Sequence, residues 1–280
     1  MAQARAEAGA IDERAWRRFT GTFAWPTLAL LVAVLGLHGL SWWACVVWGW
    51  PVWAGVALNS VVAYLAFTVH HEAAHGNIDG RKGSAGLADE VAGWISGVFL
   101  LAPFPAVRVL HLRHHGVTND PETDPDMWVA VEGPTKLAAR CLSIIPHYYW
   151  HFLFGPTSKT KSARQALPAA VVGIVGLLAV FGALWSAGLG TWALWLWVLP
   201  AVFGTGFLAF AFDYLPHVPF DERERFLNTR IIEGRALNVL LLGQNYHLMH
   251  HLYPRVPFYW YVACFDVMRP LLERKGSRIE

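Results

Sequence analysis

Charge is scarce in this chain, and in two places it vanishes. Asp, Glu, Lys and Arg make up 15% of the 280 residues, against about a quarter in soluble domains. None of them occurs from Phe19 to His71 or from Gln165 to Phe212. A bilayer crossing takes roughly 20 apolar helical residues, so each void accommodates two. Cysteine is scarce as well. Cys45, Cys141 and Cys264 form no Cys-x-x-Cys pair, which excludes a disulfide framework, a zinc ribbon, an iron–sulfur run and a haem attachment motif. The sequence also lacks a Gly-x-Gly-x-x-Gly after a plausible strand and a Gly-Lys-Ser/Thr loop, the fingerprints of dinucleotide and nucleotide folds. Redox chemistry in such a chain must import its electrons.

What fills the space is apolar: 55% of residues are hydrophobic and 15 are Trp. Gly49 and Pro51 mark a turn within the first void, and Gly188 and Gly190 one within the second. The reading is an all-α integral membrane protein, a single domain over residues 1–280, with spans near Phe23–Val47, Val52–Val69, Leu167–Ala187 and Thr191–Phe212. Lys and Arg fall entirely outside the voids: four before Phe19, nine between Glu72 and Arg164, nine after Phe212. Two hairpins of spans put all three charged regions on one side. The positive-inside rule makes that side cytoplasmic, with both termini there and a helical cap, in the plasma (cell inner) membrane. The first void is too long for the apolar core of a signal peptide. A fifth apolar run, Val91–Val109, is long enough to span, but Pro103, Pro105, Gly93 and Gly97 disfavour a straight helix, so it is expected to dip in and return or to lie in the interface. The Ala-rich start, Met1–Ala10, reads as frayed.

Histidine carries the functional signal. Of 13 in the chain, two sit in His71-Glu-Ala-Ala-His75, three in His111-Leu-Arg-His114-His115 and three in His247-Leu-Met-His250-His251. An i, i+4 pair puts both rings on one helix face about 6 Å apart along the axis. Adjacent histidines diverge by about 100°, so one box can address two ions. Eight ligands are too many for one metal, and packing has no need of so many titratable rings beside a bilayer. His217, in Asp213-Tyr-Leu-Pro-His217, is equally open by spacing as a ninth ligand or a packing ring. His38 lies within the first span and His70 points away from the His71/His75 face, so both read as structural. His147 and His151 sit among Tyr148, Tyr149, Trp150, Phe152 and Phe154 and read as an interfacial aromatic belt.

The first box is also His71-Glu72-x-x-His75, the zinc peptidase motif, with Glu72 as the general base. An intramembrane metalloprotease would use one cluster and leave six histidines idle. With two metals, Glu72 becomes an acceptor for an imidazole N–H or an interfacial carboxylate. The stretch Asp120–Asp126 contains two Asp-Pro steps and reads first as a rigid turn, second as carboxylates orienting imidazoles. Spacing alone leaves the metal open, with two zinc ions as good as two irons.

The order of boxes resembles the membrane fatty-acid desaturase and hydroxylase superfamily from about His71 to Trp260. Within it the chain is most similar to the desaturase-like β-carotene hydroxylases, through His111-Leu-Arg-His-His, Asn119-Asp-Pro-Glu-Thr-Asp-Pro-Asp126, Asp213-Tyr-Leu-Pro-His217 and Leu240-Leu-Leu-Gly-Gln-Asn-Tyr-His-Leu-Met-His-His-Leu-Tyr-Pro254. The resemblance implies two irons held by His71, His75, His111, His114, His115, His217, His247, His250 and His251. It implies O2 as co-substrate and a ferredoxin-like electron donor, which Arg269, Arg274, Lys275 and Arg278 would dock unless positive-inside bias alone explains them. The implied reaction is hydroxylation of a β-ionone ring, from β-carotene to zeaxanthin, with acyl-lipid desaturation and carotenoid ketolation as alternatives. Asp213 stands where some relatives place an Asn that reaches a metal through water. Asp213, Glu72 and Asn119 are the candidates for supporting the ligands.

Overall fold

The computed structural model describes residues 12–81 and 85–280; the expected fraying of Met1–Ala10 lies outside them. The regular structure of the described residues is helical apart from one parallel pair of two-residue strands, β1 (Arg230–Ile231) and β2 (Arg278–Ile279).

Helix α1 (Trp25–Val46) opens with Pro26 in its first turn, where a missing N–H costs nothing. A turn through Gly49, at φ 71°, leads to α2 (Val52–His75), which starts directly after Pro51. Two further short helices, α3 (Leu87–Phe99) and α4 (Phe104–Val117), are bent by 99° to one another. The break follows from the local sequence: the amide of Ala102 turns back to the carbonyl of Gly97, so close that a side chain on Gly97 would strike the Ala102 oxygen, and Pro103 prevents continuation. The run expected near 91–109 is therefore two helices at nearly a right angle. After α5 (Pro134–Leu142) and α6 (Ile144–Leu153) come α7 (Lys161–Ser186) and α8 (Gly190–Tyr214), the latter with π turns at Leu194–Val198 and Ala209–Tyr214. Short helices α9 (Arg235–Leu240) and α10 (His247–Leu252) precede α11 (Tyr261–Arg274).

α1, α2, α7 and α8 are each long and apolar enough to cross a membrane. Their outer faces carry large apolar side chains in the open: Trp53 is 71% exposed, Val172 68% and Leu178 67%. Such a belt is unfavourable against water and suits lipid. Two boundaries differ from the sequence expectation. α2 runs to His75 rather than ending near Val69, and α7 begins at Lys161 rather than near Leu167. Loss of charge marks where lipid begins, whereas a helix continues until its backbone is stopped, in α2 by Gly76 at φ 67°.

Inside, α1 and α2 pack closely because Gly55 is bare: a Cβ there would sit 2.6 Å from Cys45 Sγ and 2.5 Å from Leu196 Cδ2 of α8. Leu31, Val69, Ala73, Ala92 and Phe104 bind α1, α2 and the α3–α4 bend into one apolar cluster. The C-terminal region has its own core, in which Leu248, Met249 and Leu252 of α10 meet Tyr261, Phe265 and Met268 of α11. That core fixes α10 beneath the ends of α2 and α4.

Candidate metal centre

Four elements deliver the nine histidines to one place. α2 presents His71 and His75 on its last turns, α4 brings His111, His114 and His115, His217 follows the π turn that ends α8, and α10 carries His247, His250 and His251. The rings meet through their Nε2 atoms in two sets. In the first, Nε2 of His250 lies 2.9 Å from that of His71 and 2.7 Å from that of His115, while His111 lies 3.2 Å from His115 and 2.7 Å from His75. In the second, His251 lies 3.2 Å from His114 and 3.1 Å from His247, and His247 lies 3.1 Å from His217. The sets touch where His115 and His251 pack with ring centroids 4.4 Å apart.

Hydrogen bonding cannot account for this convergence. An imidazole nitrogen carries either one hydrogen or one lone pair, so five nitrogens support at most two such bonds, yet the first set makes four close approaches. The remainder would set lone pair against lone pair. A cation removes the conflict: two nitrogens about 2.1 Å from one ion and at right angles to each other lie about 3 Å apart, the separation seen. In each set four ligand nitrogens, those of His71, His75, His111 and His250 and those of His114, His217, His247 and His251, lie within 4.8 Å of one another and could hold a metal ion.

The opposite edges of the rings are anchored. Nδ1 of His114 sits 2.9 Å from an oxygen of Asp124 and 3.1 Å from one of Asp126. His217 Nδ1 donates to the amide oxygen of Asn119 at 3.0 Å, and His250 Nδ1 lies 2.9 Å from the Tyr261 hydroxyl. Where Nδ1 donates its hydrogen, Nε2 is left with its lone pair facing inward. Asn119 is itself held at φ 61°, a left-handed conformation that Asn tolerates, by its amide donating to the Glu222 and Asn228 carbonyls. Burial holds His111, His115, His217, His247, His250 and His251 well below the ordinary imidazole range, which keeps these rings in the neutral, ligating form. Burial also pulls on His114, but Asp124 and Asp126 together overrule it and carry that ring up to about 10.

The supporting residues divide. Glu72 is fully buried, so it is no interfacial carboxylate; it lies 3.6 Å from His71 Nδ1, on the ring edge away from the converging nitrogens. A peptidase base must face the metal-bound water, and Glu72 does not. Asp213 lies outside both sets, with one carboxyl oxygen 3.3 Å from the Tyr148 hydroxyl. The stretch Asp120–Asp126 serves both expected roles: Asp120 closes the turn by accepting from the Glu122 and Thr123 amides, and Asp124 and Asp126 orient His114. Tyr261 and Tyr148 escaped the sequence reading because neither lies in a spaced motif. The four remaining histidines stay apart: His38 faces Asn59, His70 the Gly93 carbonyl and Ser96, His147 the Pro125 carbonyl and the Trp128 ring, and His151 Thr157.

An apolar cleft leads to the rings. Its outer part, about 70 Å³, runs among Leu100, Pro103, Ala106, Ile144, Phe152, Ile174 and Leu208. Its inner part, about 40 Å³, is lined by His71, His111, His114 and His247. Phe67, Val107, Leu110, Tyr148 and Asp213 line both.

Residues 48–279 match the family model described as fatty acid desaturase. Among curated relatives, the chain is 24% identical over 240 residues to a β-carotene ketolase of Paracoccus sp. (strain PC1), covering 83% of this chain and 88% of that one. It is 24% identical over 271 residues to a chloroplastic omega-6 fatty acid desaturase of Glycine max, covering 84% of this chain and 60% of that one. It is 26% identical over 253 residues to a dihydrorhizobitoxine desaturase of Bradyrhizobium elkanii, covering 77% and 66%. A match across most of the chain, on a helical scaffold that gathers the boxes, places this protein in the fatty acid desaturase family of membrane oxidoreductases.

Proposed function

We propose that the chain is an O2-dependent di-iron oxygenase that hydroxylates a lipophilic substrate, the β-ionone ring of β-carotene, to give zeaxanthin. His71, His75, His111, His115 and His250 would hold one iron, and His114, His217, His247 and His251 the other. The observation that carries the reading is the cleft: an apolar passage whose inner wall is imidazole lets a bilayer-dissolved molecule reach the metals without crossing water. Iron, when bound, supplies the activation of O2 and the attack on an unactivated C–H bond. The residues of the chain do the rest. Phe67, Val107 and Leu110 hold the hydrocarbon and exclude water at the junction of the two parts of the cleft, and Asp124, Asp126 and Asn119 fix the ring tautomers.

Each hydroxylation joins one C–H, O2, two electrons and two protons to give an alcohol and water. A ferredoxin-like donor provides the electrons. Of the cations considered for docking it, Arg269 already faces Glu233 and Glu273, Arg274 faces Glu13 and Arg278 faces Asp221, which favours a positive-inside role for these three. Our reading is a single unit over residues 1–280, with two hairpins of spans in the cell inner membrane and both termini and the histidine-bearing elements on the cytoplasmic face.

Ketolation and acyl-lipid desaturation are the second reading, favoured by the ketolase and the omega-6 desaturase among the relatives. Expression in a β-carotene-producing host, with chromatography of pigments and lipids, separates the three. A ring diol supports hydroxylation and a ring ketone supports ketolation. Unchanged pigment with altered lipid unsaturation overturns the carotenoid reading.

A further inference from the structure

The junction of the cleft's two parts holds a carboxyl whose bonding is incomplete. Tyr148 is the sole side-chain hydrogen-bond partner of Asp213 among the described residues, at 3.3 Å, and the same hydroxyl lies 2.7 Å from Asp126. A phenol has one hydrogen to give; the shorter contact takes it, and Asp126 is in turn fixed beside His114. The Asp213 carboxyl is thus left at the junction of the cleft, among Phe67, Val107 and Leu110, without a firm donor. Thr205 and Tyr149, the other polar side chains of the outer cleft, are satisfied by backbone carbonyls, of Ala201 and Leu101 respectively. A polar group exposed to an apolar ligand is desolvated without compensation, so a ligand that carries a hydroxyl gains at this wall what a hydrocarbon does not.

We propose that Asp213 is a specificity residue that accepts a hydrogen bond from a hydroxyl group on the substrate, and that the cleft favours a lipophilic alcohol over the matching hydrocarbon. The proposal rests on the reading of the cleft as the substrate site. The alcohol has two possible sources: a substrate already hydroxylated, or the product of the enzyme's own first turnover held for a second. A hydrogen bond to a carboxyl oxygen corresponds to a preference of roughly 2- to 10-fold, and sites built to bond a hydroxyl reject the analogue lacking it more strongly than sites that only match shape.

The test measures equilibrium binding to the iron-loaded protein in lipid nanodiscs, by quenching of Trp fluorescence, for two pairs: β-carotene with its ring-hydroxylated derivative, and a long acyl chain with its hydroxylated counterpart. Wild type should favour the alcohol of at least one pair by about threefold or more. Asp213→Ala should bring that ratio close to one, and Asp213→Asn, which keeps an acceptor oxygen, should restore most of it. Iron content of both variants reports whether they are folded. A ratio that does not change in Asp213→Ala, or a wild type that binds neither alcohol, overturns the proposal. If only the acyl pair responds, the proposal stands and the β-ionone reading falls. A chase with unlabelled alcohol then assigns the source: labelled hydrocarbon carried to the doubly hydroxylated product without dilution marks a retained product, and dilution by the added alcohol marks a substrate taken up; both outcomes support the role of Asp213.

Discussion

The two histidine sets differ less in their ligands than in what stands behind them. In the set of His114, His217, His247 and His251, the outer ring edges meet two carboxylates and an amide oxygen: Asp124 and Asp126 behind His114, Asn119 behind His217. In the set of His71, His75, His111, His115 and His250, the firmest anchor is a phenol, Tyr261 behind His250, and His71 Nδ1 is buried without a bond, its nearest carboxylate 3.6 Å away. A carboxylate behind an imidazole locks its orientation and raises its basicity. The lesson is an asymmetry between the sets: the rings of one are held firmly and made more basic, and those of the other are held more loosely.

The comparison is broken most severely by removing ligands. His115→Ala or His250→Ala should abolish activity and lower the iron content, measured by metal analysis of purified protein; full iron with full activity would remove these rings from the ligand set. Asp124→Asn should weaken metal affinity roughly 10- to 100-fold, read by competition with a chelator. Tyr261→Phe deletes only a neutral partner and should cost a few-fold at most, a difference of direct relevance to the asymmetry: equal losses in the two variants would dissolve it.

Acid should act on both sets. Six rings outside the spans are held neutral by burial, so below the unfolded value of about 6.5 the unfolded chain takes up protons that the folded one refuses. Their contribution to stability is present above about pH 6.5 and is lost as pH falls. His114 has the opposite sign in the metal-free protein: its value near 10 stabilises below about 6.5 and fades toward 10. Six outweigh one, so the unfolding temperature and iron retention should both fall from pH 7 to pH 5. The smallest effect belongs to His38→Ala, which leaves iron content unchanged because that ring faces Asn59, far from both sets in its bonding.

Much of this was legible in the sequence because two signals are set by short-range physics. A bilayer excludes charge, so the voids from Phe19 to His71 and Gln165 to Phe212 announce the apolar helices. Helical periodicity puts residues i, i+3 and i+4 on one face, so the boxes announce their convergence. What escaped depends on tertiary contact. Tyr261 sits 11 residues beyond His250 in another helix and reaches it only because α10 and α11 share a core. Tyr148, read as part of an aromatic belt, instead points inward to Asp126 and Asp213. α2 and α7 extend past the expected spans for a related reason, since composition reports the edge of lipid and only backbone geometry reports the end of a helix.

Metal stoichiometry tests the central claim most directly. Protein purified from membranes and analysed by plasma emission spectrometry should carry two irons per chain. A preparation that is folded and active with a single zinc, or with no metal, would contradict it.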